Sequence, residues 1–231
     1  ASGITDSGTV TVGRNLAATT NANSGVIDLG TLAVTGSIAL ATNGNGDATV
    51  VNATGIEFAA SDVNRNLSAT ATTGNITQSG ALDIEGTTTL VTTAQGATIV
   101  LGTSTNAFTG AITITTNDND PVDGTYAAHV TIDGGTTALV IAASTIDGDL
   151  TLTSGNASGI TDSGTVTVGR NLAATTNANS GVINLGTLAV DGTMALTTHA
   201  GGAATVVNDA AIDFAASTVR GALHATATAG D

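Results

Sequence analysis

Apolar and polar residues alternate along this chain in short bursts. Thr9-Val10-Thr11-Val12, Thr31-Leu32-Ala33-Val34 and Ala111-Ile112-Thr113-Ile114-Thr115 each set an apolar side chain at every second position. A period of two places those side chains on one face of an extended segment, the pattern of a half-buried strand. Gly, Asn, Asp and Ser separate the bursts, as tight turns require. No apolar stripe of period 3.6 persists, and Lys, Glu, Gln and Met are scarce. The pattern predicts an all-β chain of many short strands.

The bursts repeat. Segments of the form G-x-L/I-x-h-T, with h small or apolar, include Gly36-Ser37-Ile38-Ala39-Leu40, Gly110-Ala111-Ile112-Thr113-Ile114, Gly148-Asp149-Leu150-Thr151-Leu152 and Gly192-Thr193-Met194-Ala195-Leu196. Asn15-Leu16-Ala17-Ala18-Thr19 and Asn66-Leu67-Ser68-Ala69-Thr70 begin with Asn instead. Neighbouring segments mostly lie about 18 to 29 residues apart, in the range of solenoid repeats. A longer period contains these. Residues 1–27 recur letter for letter at 157–183, and across residues 1–75 and 157–231 the two copies agree at 55 of 75 positions. Such close copies mark a recent duplication, so their identity alone carries little functional information. The chain reads as one continuous unit over 1–231, a super-repeat (1–156) followed by a partial second copy (157–231).

Short strands with tight turns at this spacing predict a parallel β-solenoid of roughly ten rungs, about 20 residues each. Stacked at about 4.8 Å, ten rungs make a rod of roughly 50 Å. The substitutions between copies support the inside–outside division. Ile38 becomes Met194 and Phe58 remains Phe214, whereas Asn43, Asp47 and Asn64 become His199, Ala203 and Arg220. Asn15, Asn66 and Asn171 occupy equivalent corners and are expected to form hydrogen-bonded rows.

Composition sharpens this picture. Aromatic residues make up 2% and charged residues 10%, against about 25% charged in ordinary soluble domains. So few large side chains suit a narrow core along an axis. A hydrophobic content of 41%, rich in Val, Ile and Thr, argues against disorder. A single Pro and the lack of a Gly-x-y period exclude collagen. The net charge of −14 disfavours nucleic acid and anionic membrane surfaces as partners. Without Cys there is no disulfide framework or thiolate metal site. No apolar run is long enough to span a bilayer. No signal peptide opens the chain and Ala1 begins in mid-pattern, so the segment reads as a piece of a longer protein.

The residues at 74–86, Gly-Asn-Ile-Thr-Gln-Ser-Gly-Ala-Leu-Asp-Ile-Glu-Gly, resemble the G-N-I-T-Q-x-G-x-L-x-V-x-G unit of large bacterial exoproteins. Asn106-Ala107-Phe108-Thr109-Gly110-Ala111-Ile112 resembles their N-x-F-x-G-x-V unit. These are the filamentous haemagglutinin-like proteins, often exported by two-partner secretion. The resemblance implies a right-handed parallel β-helix, secretion to a bacterial cell surface or extracellular matrix, and a role in adhesion or biofilm scaffolding. Its partners would be other copies of the same protein and host-cell or matrix polysaccharide.

Candidate chemistry is sparse. The run Asn117-Asp118-Asn119-Asp120-Pro121-Val122-Asp123-Gly124 gathers carboxylates and amides. Calcium takes six to eight such oxygens, so Asp118, Asp120 and Asp123 are the candidate calcium ligands. The run also resembles the calcium linker of cadherin-type repeats but lacks the spacing of an EF-hand. The bland alternative is a polar loop; the sharper one is a calcium-dependent sheath or matrix component that stacks end to end. Hydrolysis of polysaccharide needs two acids at a fixed separation. Here Asp28, Thr35, Ala53 and Asp62 become Asn184, Asp191, Asp209 and Thr218, and only Asp6/Asp162 is strictly kept. Asp6 lies in a turn sequence, so a turn role is expected and no enzyme is. His129, His199 and His224 form no metal-ligand pair and are expected at the surface. The bases Arg14, Arg65, Arg170 and Arg220 are expected to pair with acids one rung away. Thr-x-Thr rows suggest ice binding only if spacing is regular in two dimensions, and the rung lengths vary.

Overall fold

The computed structural model describes residues 3–21, 23–118 and 128–229. Among these residues there is no helix. The chain winds as a β-solenoid of about ten turns. Two parallel sheets of 14 and 13 strands face each other, here sheet 1 and sheet 2, and the chain passes from one to the other. Each strand pairs in parallel with strands one turn before and one turn after. Ile4, Ile27, Ala48, Leu67, Thr88, Ile112 and Ile141 stand one above another in sheet 1.

Period-two alternation packs the interior. In Leu150–Ser154 the residues Leu150, Leu152 and Ser154 are buried, while Thr151 and Thr153 are half-exposed. Like stacks on like. Val130, Leu150, Leu172 and Met194 form one inward column, and Ile132, Leu152, Ala174 and Leu196 the next. The resulting core runs unbroken from Ala18 to Val206. Differences in turn length are absorbed mainly by the connections, with a register shift of one residue between Leu29 and Leu32 and between Leu185 and Leu188.

Most turns have one flat side and one bent side. The flat side is a single strand of four or five residues. The bent side is two short strands with a corner between them. Sheet 1 begins bent, with Ile4–Thr5 and Val10–Val12. Ile27–Val34 covers both halves. Sheet 1 then runs flat through Ala48–Asn52, Leu67–Ala71, Thr88–Thr92 and Ile112–Thr115. It bends again at Leu139–Ile141 and Ser144–Ile146. Sheet 2 does the reverse. It is flat at Ser37–Ala41, bent at Ile56–Phe58 and Ser61–Val63, and flat again from Val130–Asp133 through Thr193–Thr197.

The reason is the length of the repeating unit. Ile4-Thr5-Asp6-Ser7-Gly8 has a close counterpart in Ile76-Thr77-Gln78-Ser79-Gly80 and an identical one in Ile160-Thr161-Asp162-Ser163-Gly164. The first and third lie in sheet 1 and the second in sheet 2. Six registered steps carry Ile4 to Ile141, and a seventh pairs the Ile141 strand with that of Ile160. Each unit therefore spans three and a half turns. The half turn moves the bend to the opposite sheet with every unit.

Candidate functional site

Where a flat strand gives way to a bent one, a backbone N–H loses its partner. An unpaired buried N–H is costly, so each is met by a side chain. Leu40 N donates to Ser61 Oγ at 3.1 Å, Ile114 N to Ser144 Oγ at 2.9 Å, and Leu196 N to Ser217 Oγ at 3.0 Å. Each hydroxyl donates in turn to the carbonyl two residues earlier, that of Ala59, Ala142 or Ala215. All three serines end an Ala-Ala-Ser sequence.

The reverse change needs a larger cap. Val34 ends a bent turn, and no strand continues above it. Asn52, fully buried, accepts from Val34 N at 2.8 Å and donates to Val34 O at 2.9 Å. Its amide thus stands in for a peptide of the missing strand. Asn208 does the same for Val190, at 2.8 and 3.1 Å. In the middle unit Thr137 Oγ1 accepts from Phe108 N at 3.1 Å. Asn106, also buried, binds Leu82 N, Leu101 O, Asp133 O and the Gln78 amide, and so ties three turns together.

Asp6 holds a corner. Its carboxylate accepts from Gly30 N, Thr31 N and Thr31 Oγ1, one turn up. The Thr31 N–H, with the hydroxyl and Gly30 N–H adding to it, holds the Asp6 carboxyl below the usual carboxylate range. Asp162 repeats the arrangement with Gly186 and Thr187. In the middle unit Gln78 Oε1 accepts from Thr103 N at 3.3 Å. The conserved chemistry of the two copies at this position is structural.

The corner asparagines do not contact one another. Asn15, Asn66 and Asn171 lie turns apart, and each carboxamide oxygen accepts from the backbone one turn up, at Ser37, Thr87 and Thr193. Rows of identical Asn, expected from the sequence, are replaced by single side chain-to-backbone bonds. Two of the four arginines pair as expected. Arg65 lies 3.3 Å from Asp47, and Arg170 3.9 Å from Asp149. Arg14 and Arg220 make no ion pair among the described residues. His199 and His224 are exposed, but His129 has a definite role. Its Nδ1 accepts from Asp149 N at 2.9 Å, as Asp47 Oδ1 accepts from Asn66 N in the other unit.

Of the candidate calcium ligands, Asp120 and Asp123 lie outside the described residues. Asp118 is buried, its Oδ1 accepting from Gln95 Nε2 at 3.2 Å and its backbone N donating to Asp147 Oδ2 at 2.6 Å. Among the described residues no three His, Cys, Asp or Glu side chains come together as a metal site.

Charge is distributed by face. The flat strands Leu16–Thr19, Ser37–Ala41, Ala48–Asn52, Leu67–Ala71, Thr88–Thr92, Ile112–Thr115, Leu150–Ser154, Leu172–Thr176 and Thr193–Thr197 contain no charged residue. Asp133, which ends Val130–Asp133, is an exception. Bent strands carry Asp28, Glu57, Asp62, Asp83 and Asp162. Outward columns on the flat sides are hydroxyls and methyls, such as Val51, Thr70, Val91 and Thr115 in sheet 1. Open clefts lie beside the faces. One, of about 450 Å³, sits at the first flat-to-bent change and is lined by Thr35, Thr54, Glu57, Asn75 and Thr77. Another, of about 490 Å³, lies at the margin of the sheet 2 flat side near His199 and Arg220.

These features define a repeat β-solenoid whose distinctive side chains are caps between turns. Residues 45–115 match a family model described as repeats of unknown function (DUF5649). That stretch is 71 residues long, close to the 72 separating Ile4 from Ile76, so it spans about one three-and-a-half-turn unit. No curated protein and no solved structure matches the chain.

Proposed function

We infer that this chain is a rod segment of a large secreted bacterial surface protein, serving as a stalk or fibre in adhesion or biofilm matrix. The observation that carries this reading is the repeat geometry. Successive units continue one core and two sheets without interruption, so added copies extend the rod at constant cross-section. The flat sides, uncharged apart from Asp133, support an adhesive component. In a chain of net charge −14, they are where another copy or a neutral polysaccharide approaches while meeting few carboxylates. One flat side is about four strands tall and five residues wide, well under the roughly 800 Å² per partner of a stable interface. Adhesion through such faces works by avidity along a long rod.

Immunogold electron microscopy of the source cells, with an antibody against this segment, tests the reading. Label along surface fibres or a sheath is the expected result. Label confined to the periplasm, or soluble in the medium without fibres, overturns it.

A further inference from the structure

We propose that Asn45 is a self-modification site, converted in the folded rod to aspartate and isoaspartate by the backbone amide of Gly46. Asn-Gly occurs twice in the chain, at 43–44 and 45–46, both in the corner between the flat strands Ser37–Ala41 and Ala48–Asn52. Asn43, Gly44 and Asn45 are exposed. The connection one turn above is shorter, residues 64–66 against 42–47, so the tip of this corner projects beyond it.

The hydrogen bonds of the corner single out one peptide. Asn43 O accepts from Ser24 N at 2.9 Å, one turn below, which holds the 43–44 peptide. Gly46 O accepts from Thr42 Oγ1 at 2.9 Å, which holds the 46–47 peptide. Between them, neither Asn45 O nor Gly46 N has a hydrogen-bond partner among the described residues, and the Asn45 side chain has none either. The second copy supplies the contrast. There the same corner reads Thr198-His199-Ala200-Gly201-Gly202-Ala203, and Gly202 N donates to His199 O at 3.0 Å. Thr198 Oγ1 donates to Gly202 O at 2.7 Å, as Thr42 does to Gly46. The first copy keeps the threonine bond, leaves the Gly46 N–H free, and sets an amide side chain on the residue before it.

A glycine nitrogen has no Cβ on its own residue to obstruct it, and it reaches the preceding Asn Cγ through a five-membered ring. Gly46 N loses its proton and bonds to Asn45 Cγ. The Cγ–Nδ2 bond breaks, and Nδ2 leaves as ammonia with that proton. Water then opens the succinimide at Cγ, giving aspartate, or at the Asn45 backbone carbon, giving isoaspartate. The new carboxylate stands four residues past the end of the uncharged strand Ser37–Ala41, so this margin of the flat side gains charge as the rod ages.

The test keeps the 231-residue chain folded at neutral and at alkaline pH, then unfolds it and cleaves it with trypsin. Cleavage after the four arginines releases peptides 15–65 and 171–220, one from each copy. The expected result is the mass gain of an amide-to-acid exchange in 15–65, placed at Asn45 by fragmentation and faster at alkaline pH. Asn43 should react about tenfold more slowly, because its peptide must first break the bond from Ser24 N. Asn45→Gln cannot close a five-membered ring and should slow 15–65 to the rate of 171–220, whereas Asn43→Gln should leave the rate unchanged. Equal rates at Asn43 and Asn45, or in the two peptides, overturn the proposal. So does an intact Asn45 in the folded chain over a time in which the urea-unfolded chain is modified there.

Discussion

At the scale of single residues, the fold depends on a few buried polar side chains that replace missing backbone partners. Asn52 meets both the N–H and the C=O of Val34. Asn52→Leu keeps the branched shape and removes both bonds, with those to Thr54 and Gly55, and should cost about 3 kcal/mol, read as a lower urea midpoint. Thr54 Oγ1 also donates to Val34 O, so a neutral result would mean that Val34 N–H finds another partner. Backbone strain gives an opposite case. Ala200 has φ of 50°, where its counterpart in the first copy is Gly44, at φ of 63°. Ala200→Gly should stabilise the chain by about 1 kcal/mol, read as a higher melting temperature. The Asp6 carboxyl, lowered by its bond from Thr31 N–H, adds a pH dependence. Its folded value is below its unfolded one, so its contribution is present above the unfolded pKa of 3.8 and is lost as pH falls through the folded value. Asp6→Asn should therefore flatten the acid limb of the stability curve below pH ~4 and leave its shape at neutral pH unchanged.

At the scale of strands and corners, close stacking decides which positions tolerate a side chain. A Cβ at Gly192 would lie 2.5 Å from Arg170 O and 2.7 Å from Asn171 Oδ1, one turn below. At Gly102 the nearest atom would be Thr131 Cγ2, at 3.6 Å. Gly192→Ala should lose about 1–3 kcal/mol in urea unfolding, whereas Gly102→Ala should stay within about 0.5 kcal/mol. Equal effects at the two sites would show that the corner spreads at little cost. Strand pattern was legible in sequences such as Ala111-Ile112-Thr113-Ile114-Thr115, because burial on one side imposes period two. The capping serines were less so. Ala-Ala-Ser recurs three times, yet only the stacked turns reveal that each hydroxyl serves the strand below.

At the scale of the whole molecule, length is the property that the repeat controls. A 156-residue copy comprises seven turns, so adding one should lengthen the rod by about 34 Å with no change of cross-section. Small-angle X-ray scattering of chains with one and two added copies checks this. A smaller increment, or a rising cross-sectional radius, would mean that copies fold side by side. The half-integer turn count also sets the flat faces on alternate sides.

The sequence by itself determined the all-β class, the inward columns and the turn length, since these follow from local alternation and from spacing between like segments. It also showed that Asp6 belongs to a turn. It did not show that the unit is three and a half turns long, because which sheet a segment joins depends on how many half turns precede it. Nor did it show that Asn15, Asn66 and Asn171 stand too far apart along the axis to touch. The tertiary structure alone brought Asn52 to Val34 and Ser61 to Leu40, because stacking makes neighbours of residues about twenty positions apart.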